Sequence, residues 1–229
     1  KIKQGLMHMI IHDLNNPLTA ISGSLEILLM DIERTSERQY KRIEKCYAYC
    51  KDLNLLIQSL LDIHKMEEAT LVLEKEETSM HVLLDEVLPQ FTQKTASKNI
   101  SLSFQISKDL PSVPIDQKLI KRVIANLLNN AIRHTPEGGH IKGTIHLLPE
   151  KRGVFLSIKD NGNGLEPENH RRIFDKFEQV KLKQAGVSLG SSGLGLAFCK
   201  MAVEAHEGKI WVESEGKDKG STFCFVMPT

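Results

Sequence analysis

Apolar residues in the first third of the chain recur at helical spacing. Ile11, Leu18, Leu25 and Ile32 form one row seven residues apart, and Met7, Leu14, Ile21 and Leu28 form a second row, offset as in a heptad seam. After the polar stretch Glu33-Arg34-Thr35-Ser36-Glu37 the alternation of three and four resumes with Ile43, Cys46, Cys50, Leu53, Ile57 and Leu60. The pattern predicts two long amphipathic helices joined by a short turn, a hairpin occupying residues 1–68. One hairpin cannot bury both seams, so a homodimer is expected, with two chains forming a four-helix bundle. Pro17 falls inside the first helix, where its missing N–H predicts a bend one turn beyond His12.

From about Thr70 the period changes, and residues 69–229 read as a second domain. Ile100, Leu102, Phe104 and Ile106 alternate with polar residues, as do Val154, Leu156 and Ile158, then Ile210 and Val212, then Phe223, Phe225 and Met227. Helical stretches are expected over roughly 79–97, 117–134 and 193–206. Strands interleaved with helices but ending in hairpin-like pairs predict an α/β sandwich with one mixed sheet. The fold class is therefore α+β: a helical hairpin followed by an α/β sandwich. Residues 178–192, rich in Lys, Gln, Gly and Ser, read as a flexible insert.

Composition narrows the function classes. Thirty basic and 29 acidic residues leave a net charge of +1, which gives no bulk field for nucleic acid or an anionic membrane. No apolar run reaches the ~18 residues of a transmembrane helix, so any membrane anchor is expected in segments outside this chain. Four cysteines without zinc-type spacing read as reduced, cytosolic thiols rather than a disulfide scaffold, so a cytoplasmic chain is expected.

The chemistry is carried by four stretches in one order. His12, in His12-Asp13-Leu14-Asn15-Asn16-Pro17-Leu18, sits one residue past a seam position and should face solvent. A neutral exposed imidazole is a competent nucleophile, and Asn16, at i+4, shares its face. Asp13 is adjacent in sequence but about 100° around the helix, a weaker candidate for base or orienter. Asn126 and Asn130 stand four apart on an otherwise apolar helix; their amides can offer oxygen to a metal or N–H to phosphate, with Arg133 three residues beyond. Asp160-Asn161-Gly162-Asn163-Gly164 ends a strand with a carboxylate able to accept from an exocyclic amine, and with glycines that let backbone approach a flat ring. Gly190-Ser191-Ser192-Gly193-Leu194-Gly195-Leu196 runs into a helix N-terminus suited to phosphate, without the Lys-Ser/Thr of a P-loop.

Taken in order, these stretches resemble the cytoplasmic core of a sensor histidine kinase over nearly the whole chain. His12 to Leu18 resembles the phosphoacceptor box, and Asn126 to Ala131 the asparagine box. Asp160 to Gly164, Ile173-Phe174-Asp175-Lys176-Phe177 and Gly193 to Leu196 resemble the first glycine, phenylalanine and second glycine boxes, and Gly220-Ser221-Thr222-Phe223 the last glycine-threonine turn.

The resemblance implies a dimerisation and phosphotransfer domain over 1–68 and a Bergerat-type ATP-binding domain over 69–229, the fold shared with gyrase and MutL. It implies ATP and Mg2+ as cofactors, autophosphorylation of His12, and a response-regulator receiver domain as partner, with no nucleic acid. By position, Asn130 would hold magnesium and Asn126 the phosphate region. Asp160 would take the adenine amine, with Gly162 and Gly164 beside it. Arg133, Lys176, Ser192, Gly193, Leu194, Gly195 and Thr222 would complete the nucleotide site. Residues 178–192 would be the ATP lid, with Lys181 or Lys183 reaching phosphate. Asn16 would align water for dephosphorylating the partner.

Two rivals stand beside this. A gyrase-type ATPase would carry an acidic general base where this chain has Asn126, and an amide cannot take that proton. A non-catalytic scaffold would be expected to have lost His12, Asn130, Asp160 or a lid glycine, and all are present.

Overall fold

The computed structural model describes residues 18–28, 37–68, 70–148, 153–176 and 194–229. It divides into two compact units, Lys1–Glu68 and Ala69–Thr229.

In the first unit, helix α1 covers residues 18–28 and α2 spans Glu37–Glu67. The predicted rows separate on packing. Leu18, with Leu25 beside it, forms a small core with Cys50, Ile57 and Leu61. Ile21, Leu28 and Leu53, from the other faces of the same pattern, remain 51, 48 and 47% exposed. Tyr47 also donates its hydroxyl to Glu26 Oε1 at 3.4 Å, tying the two helices together.

The second unit begins with β1 (Glu76–Thr78) and α3 (Met80–Val87). The single helix expected over 79–97 is interrupted. Pro89 has no N–H to continue an α-helical ladder, so Leu88–Phe91 tightens into a 3-10 turn before α4 (Thr92–Ala96). Then come β2 (Ser101–Ile106), β3 (Val113–Ile115), α5 (Gln117–His134), β4 (His140–Leu148), β5 (Gly153–Asp160), α6 (Asn169–Arg172), α7 (Gly195–Ala205), β6 (Lys209–Glu213) and β7 (Ser221–Pro228).

The main sheet has the order β2-β4-β5-β7-β6, parallel between β2 and β4 and antiparallel elsewhere. The expectation of one sheet is corrected by a second, two-stranded sheet of β1 and β3. Strand β4 escaped the alternation reading because Gly143 stands where an apolar residue would complete the row Ile141, Ile145. The reason is steric: a Cβ at Gly143 would fall inside the ring of Phe104, its cross-strand partner on β2.

One face of the sheet carries Ile141, Ile145, Leu156, Ile158, Phe223 and Phe225, all buried. Helices α5 and α7 contribute Val123, Ile124, Leu127, Leu128 and Phe198 to the same core. Each such side chain contributes about 1.5–3 kcal/mol on burial. Buried pairs on α5 recur every four residues, 119–120, 123–124, 127–128 and 131–132. This leaves Arg122, Asn126, Asn130 and Arg133 off the core face. Asp116 caps α5, its Oδ1 accepting from Leu119 N at 3.2 Å.

Candidate functional site

The last strand residue of β5 anchors the site. Asp160 is buried to 1% exposure, and both carboxylate oxygens are occupied: Oδ1 accepts from Gly162 N and Oδ2 from Ser221 Oγ, each at 2.9 Å. Burial pushes the carboxyl above the ordinary carboxylate value, while the hydrogen bonds from Gly162 and Ser221 oppose it. With a third hydrogen bond from the Ser221 backbone, the carboxylate keeps one lone pair for a further donor. Asp160 and Ser221 are cross-strand partners, so their side chains share one face of the sheet. Thr222 alternates to the other face, opposite Lys159 and Glu213. Ser221, next to the predicted Thr222, is therefore the hydroxyl that touches Asp160. The strand register could have shown this only once the pairing was known.

The loop after Asp160 is built for close approach. A Cβ on Gly162 would overlap the carbonyl oxygen of His134, and Gly164 has a φ of +64° that side chains disfavour. His134, at the end of α5, is half-buried; burial first, then the charges of Arg133 and Lys98, lowers its pKa. Lys98 closes that helix end, its ammonium donating to the carbonyls of Ile132, Thr135 and Arg133 at 2.8, 3.2 and 3.3 Å.

At the opposite end of the same α5 face, Asn126 faces the start of α7. A Cβ on Gly195 would stand 3.4 Å from Asn126 Oδ1, so the start of α7 lies close against that amide. Cys199, one turn along α7, bonds to Val123 O at 3.7 Å and to the Asn126 side chain. Arg122 stacks on Phe198, 4.1 Å from the ring centre. Asn126, Asn130 and His134 are spaced at i, i+4 and i+8, so α5 carries one polar face about 12 Å long. Near one end the Asn126 amide lies against Gly195, and at the helix end the backbone carbonyl of His134 lies against Gly162, whose N–H donates to Asp160.

Asn130 is half-buried and Arg133 exposed on α5. Leu194 is buried just before α7, and Lys176 is half-buried after α6, where Phe174 packs edge-on to Phe223 at 6.3 Å. His12, Asp13, Asn16, Ser192 and Gly193, with Lys181, Lys183 and the expected lid 178–192, lie outside the described residues. Among the described residues no three His, Cys, Asp or Glu side chains gather into a metal-binding group, and no helix is long and apolar enough to cross a membrane.

Residues 2–69 match the His Kinase A phospho-acceptor domain, and residues 115–229 match the histidine kinase-, DNA gyrase B- and HSP90-like ATPases. The adaptive-response sensory kinase SasA of Microcystis aeruginosa is 35% identical over 234 residues, covering 100% of this chain and 59% of its own length. The chain thus spans under two thirds of that relative. Full-length ShkA in complex with AMPPNP shares the fold, with a TM-score of 0.79 at 23% identity over 98% of this chain and 45% of its own. Histidine kinase ThkA, solved in complex with the response regulator TrrA, is 27% identical with a TM-score of 0.63, over 98% of this chain and 61% of its own. The chain belongs to the histidine kinase family, joining a His Kinase A phospho-acceptor region to a domain of the histidine kinase-, gyrase B- and HSP90-like ATPases.

Proposed function

We propose that this chain is an ATP-dependent histidine autokinase that phosphorylates His12 and passes the phosphoryl group to an aspartate of a response-regulator receiver domain. The observation that carries the reading is the polar face of α5. It runs from Asn126 and Gly195 to His134 and Gly162, beside a buried acceptor, Asp160. Its length suits an extended nucleoside triphosphate, with the base at the carboxylate end and the phosphates at the start of α7.

In this reading Asp160 uses its remaining lone pair to accept from the adenine amine, and Gly162 and Gly164 let backbone lie against the ring. Gly193, Leu194 and Gly195 offer backbone N–H groups to the phosphates, where the helix dipole favours anions. Asn126, Arg133, Lys176 and Ser192 supply further polar contacts. Thr222 lies beside Ser221, the hydroxyl that holds Asp160. Asn130 is the proposed magnesium ligand, an amide oxygen of the hard type that ion prefers. Magnesium, when bound, offsets phosphate charge. An ion held largely by phosphate oxygens needs no cluster of protein carboxylates.

The neutral His12 imidazole then attacks the γ-phosphorus. An N–P bond forms, the bond to the β-phosphate oxygen breaks, and ADP leaves. Such transfers depend mainly on in-line positioning and charge stabilisation. Asp13 orients the imidazole or takes its proton. Asn16 is proposed to align water for removing phosphate from the partner. The homodimer is proposed to cover Ile21, Leu28 and Leu53, and the need for ATP puts the reaction in the cytoplasm. The ThkA complex with a response regulator supports the choice of partner.

Protein labelled on His12 and freed of ATP, then mixed with a receiver domain, tests the transfer. Label should move to the receiver and turn from acid-labile to alkali-labile. Label that stays on the chain with every receiver tried, or that moves equally to a receiver lacking its aspartate, contradicts it.

A further inference from the structure

The glycine loop after Asp160 is held by a second loop, 214–220, between β6 and β7. Leu165 N donates to Ser214 Oγ at 2.9 Å, and the same hydroxyl donates to Gly220 O at 2.7 Å. Gly216 N reaches Ser214 Oγ at 3.4 Å, so the single proton and both lone pairs of the hydroxyl are engaged. The backbones are bonded as well: Asp218 N to Asn163 O at 2.6 Å and Gly220 N to Gly162 O at 3.0 Å. The two loops approach so closely that a Cβ on Gly164 would overlap Gly216 O, and one on Gly220 would overlap Asp160 O. Ser214 is the only side chain among these bonds. Its removal would strand the N–H of Leu165 and the carbonyl of Gly220 at the point where the loop turns through Gly164.

We infer that Ser214 is a positioning residue for nucleotide binding, fixing the loop Gly162–Leu165 in the shape that Asp160 and the glycines present to the base. This rests on the reading of that loop as the adenine site. Ser214 touches no nucleotide itself. It acts by removing loop states that would otherwise have to be ordered on binding, so its loss falls on affinity rather than on the transfer step.

The test is the initial rate of histidine phosphorylation by the full chain against ATP concentration. Ser214→Ala and the similarly sized Ser214→Cys are compared with Asp160→Asn, and fluorescence of Trp211 reports the folded fraction. The expected result is a half-saturating ATP concentration raised about tenfold, the size of losing ordered loop contacts, with the maximal rate per folded molecule within about twofold. A merely structural serine would lower the folded fraction and leave half-saturation unchanged. That result, with Asp160→Asn strongly impaired, overturns the role of Ser214 and leaves the adenine site standing. Unchanged half-saturation in all three variants overturns both.

Discussion

The backbone N–H of Asp116 donates to Nε2 of His206 at 2.9 Å, joining the first residue before α5 to the first residue after α7. The other ring nitrogen, Nδ1, carries its proton to Ala202 O at 2.7 Å. His206 is thus a buried neutral imidazole with both nitrogens engaged, and protonation of Nε2 would break the link between the two helices that frame the site.

Burial, with a smaller contribution from Lys75, lowers the His206 pKa against the raising effects of Ala202 and Asp116. The unfolded chain therefore binds protons first as pH falls below about 6.5, and stability declines from there until the folded state also protonates. His134, also lowered, adds to the same trend. Urea midpoints measured from about pH 5 to pH 8 should rise with pH and then level. His206→Ala should cost about 1–3 kcal/mol at neutral pH, from the stranded Asp116 N–H, and flatten the slope. An unchanged slope would mean that His206 is not the titrating group.

Lys98 closes the C-terminal end of α5 through three carbonyls. Lys98→Met keeps the aliphatic stem and removes the charge. It should lower stability by about 1–2 kcal/mol, read as a shift in the urea midpoint. No shift would show that water satisfies those carbonyls equally well.

Gly162→Ala should weaken ATP binding about tenfold or more, because the added Cβ would overlap the carbonyl of His134 and push the loop away from α5. Calorimetric titration with ATP reads this directly. Wild-type affinity in the variant would place the base elsewhere.

Ile21 and Leu53 are about half exposed on a helical pair that already has an internal core. Ile21→Glu with Leu53→Glu should turn a dimer into a monomer in light scattering, since a charge in an apolar seam costs several kcal/mol. A dimer of unchanged mass would mean that other residues form the interface.

A helix was legible where one apolar period ran unbroken: the stretch from Leu119 to Ile132 pointed to a helix over roughly 117–134, and α5 is Gln117–His134. Strand β4 was not, because Gly143 yields its place to Phe104, a contact between residues far apart in sequence. The break at Pro89 turned one expected helix into three short pieces. Of the candidate site, the spacing of Asn126 and Asn130 and the carboxylate before paired glycines could be read along the chain. Ser221 and Ser214 could not. Their role depends on strand register and on two loops meeting, and an isolated serine carries no local pattern that announces either.

His12 is the proposed acceptor of the phosphoryl group. The full chain is incubated with γ-labelled ATP and magnesium, beside His12→Gln, and the stability of the label is tested in acid and alkali. The expected label survives alkali, is lost in acid, and is absent from the variant. A label of equal intensity on His12→Gln, or phosphate released with no labelled protein, would contradict that role.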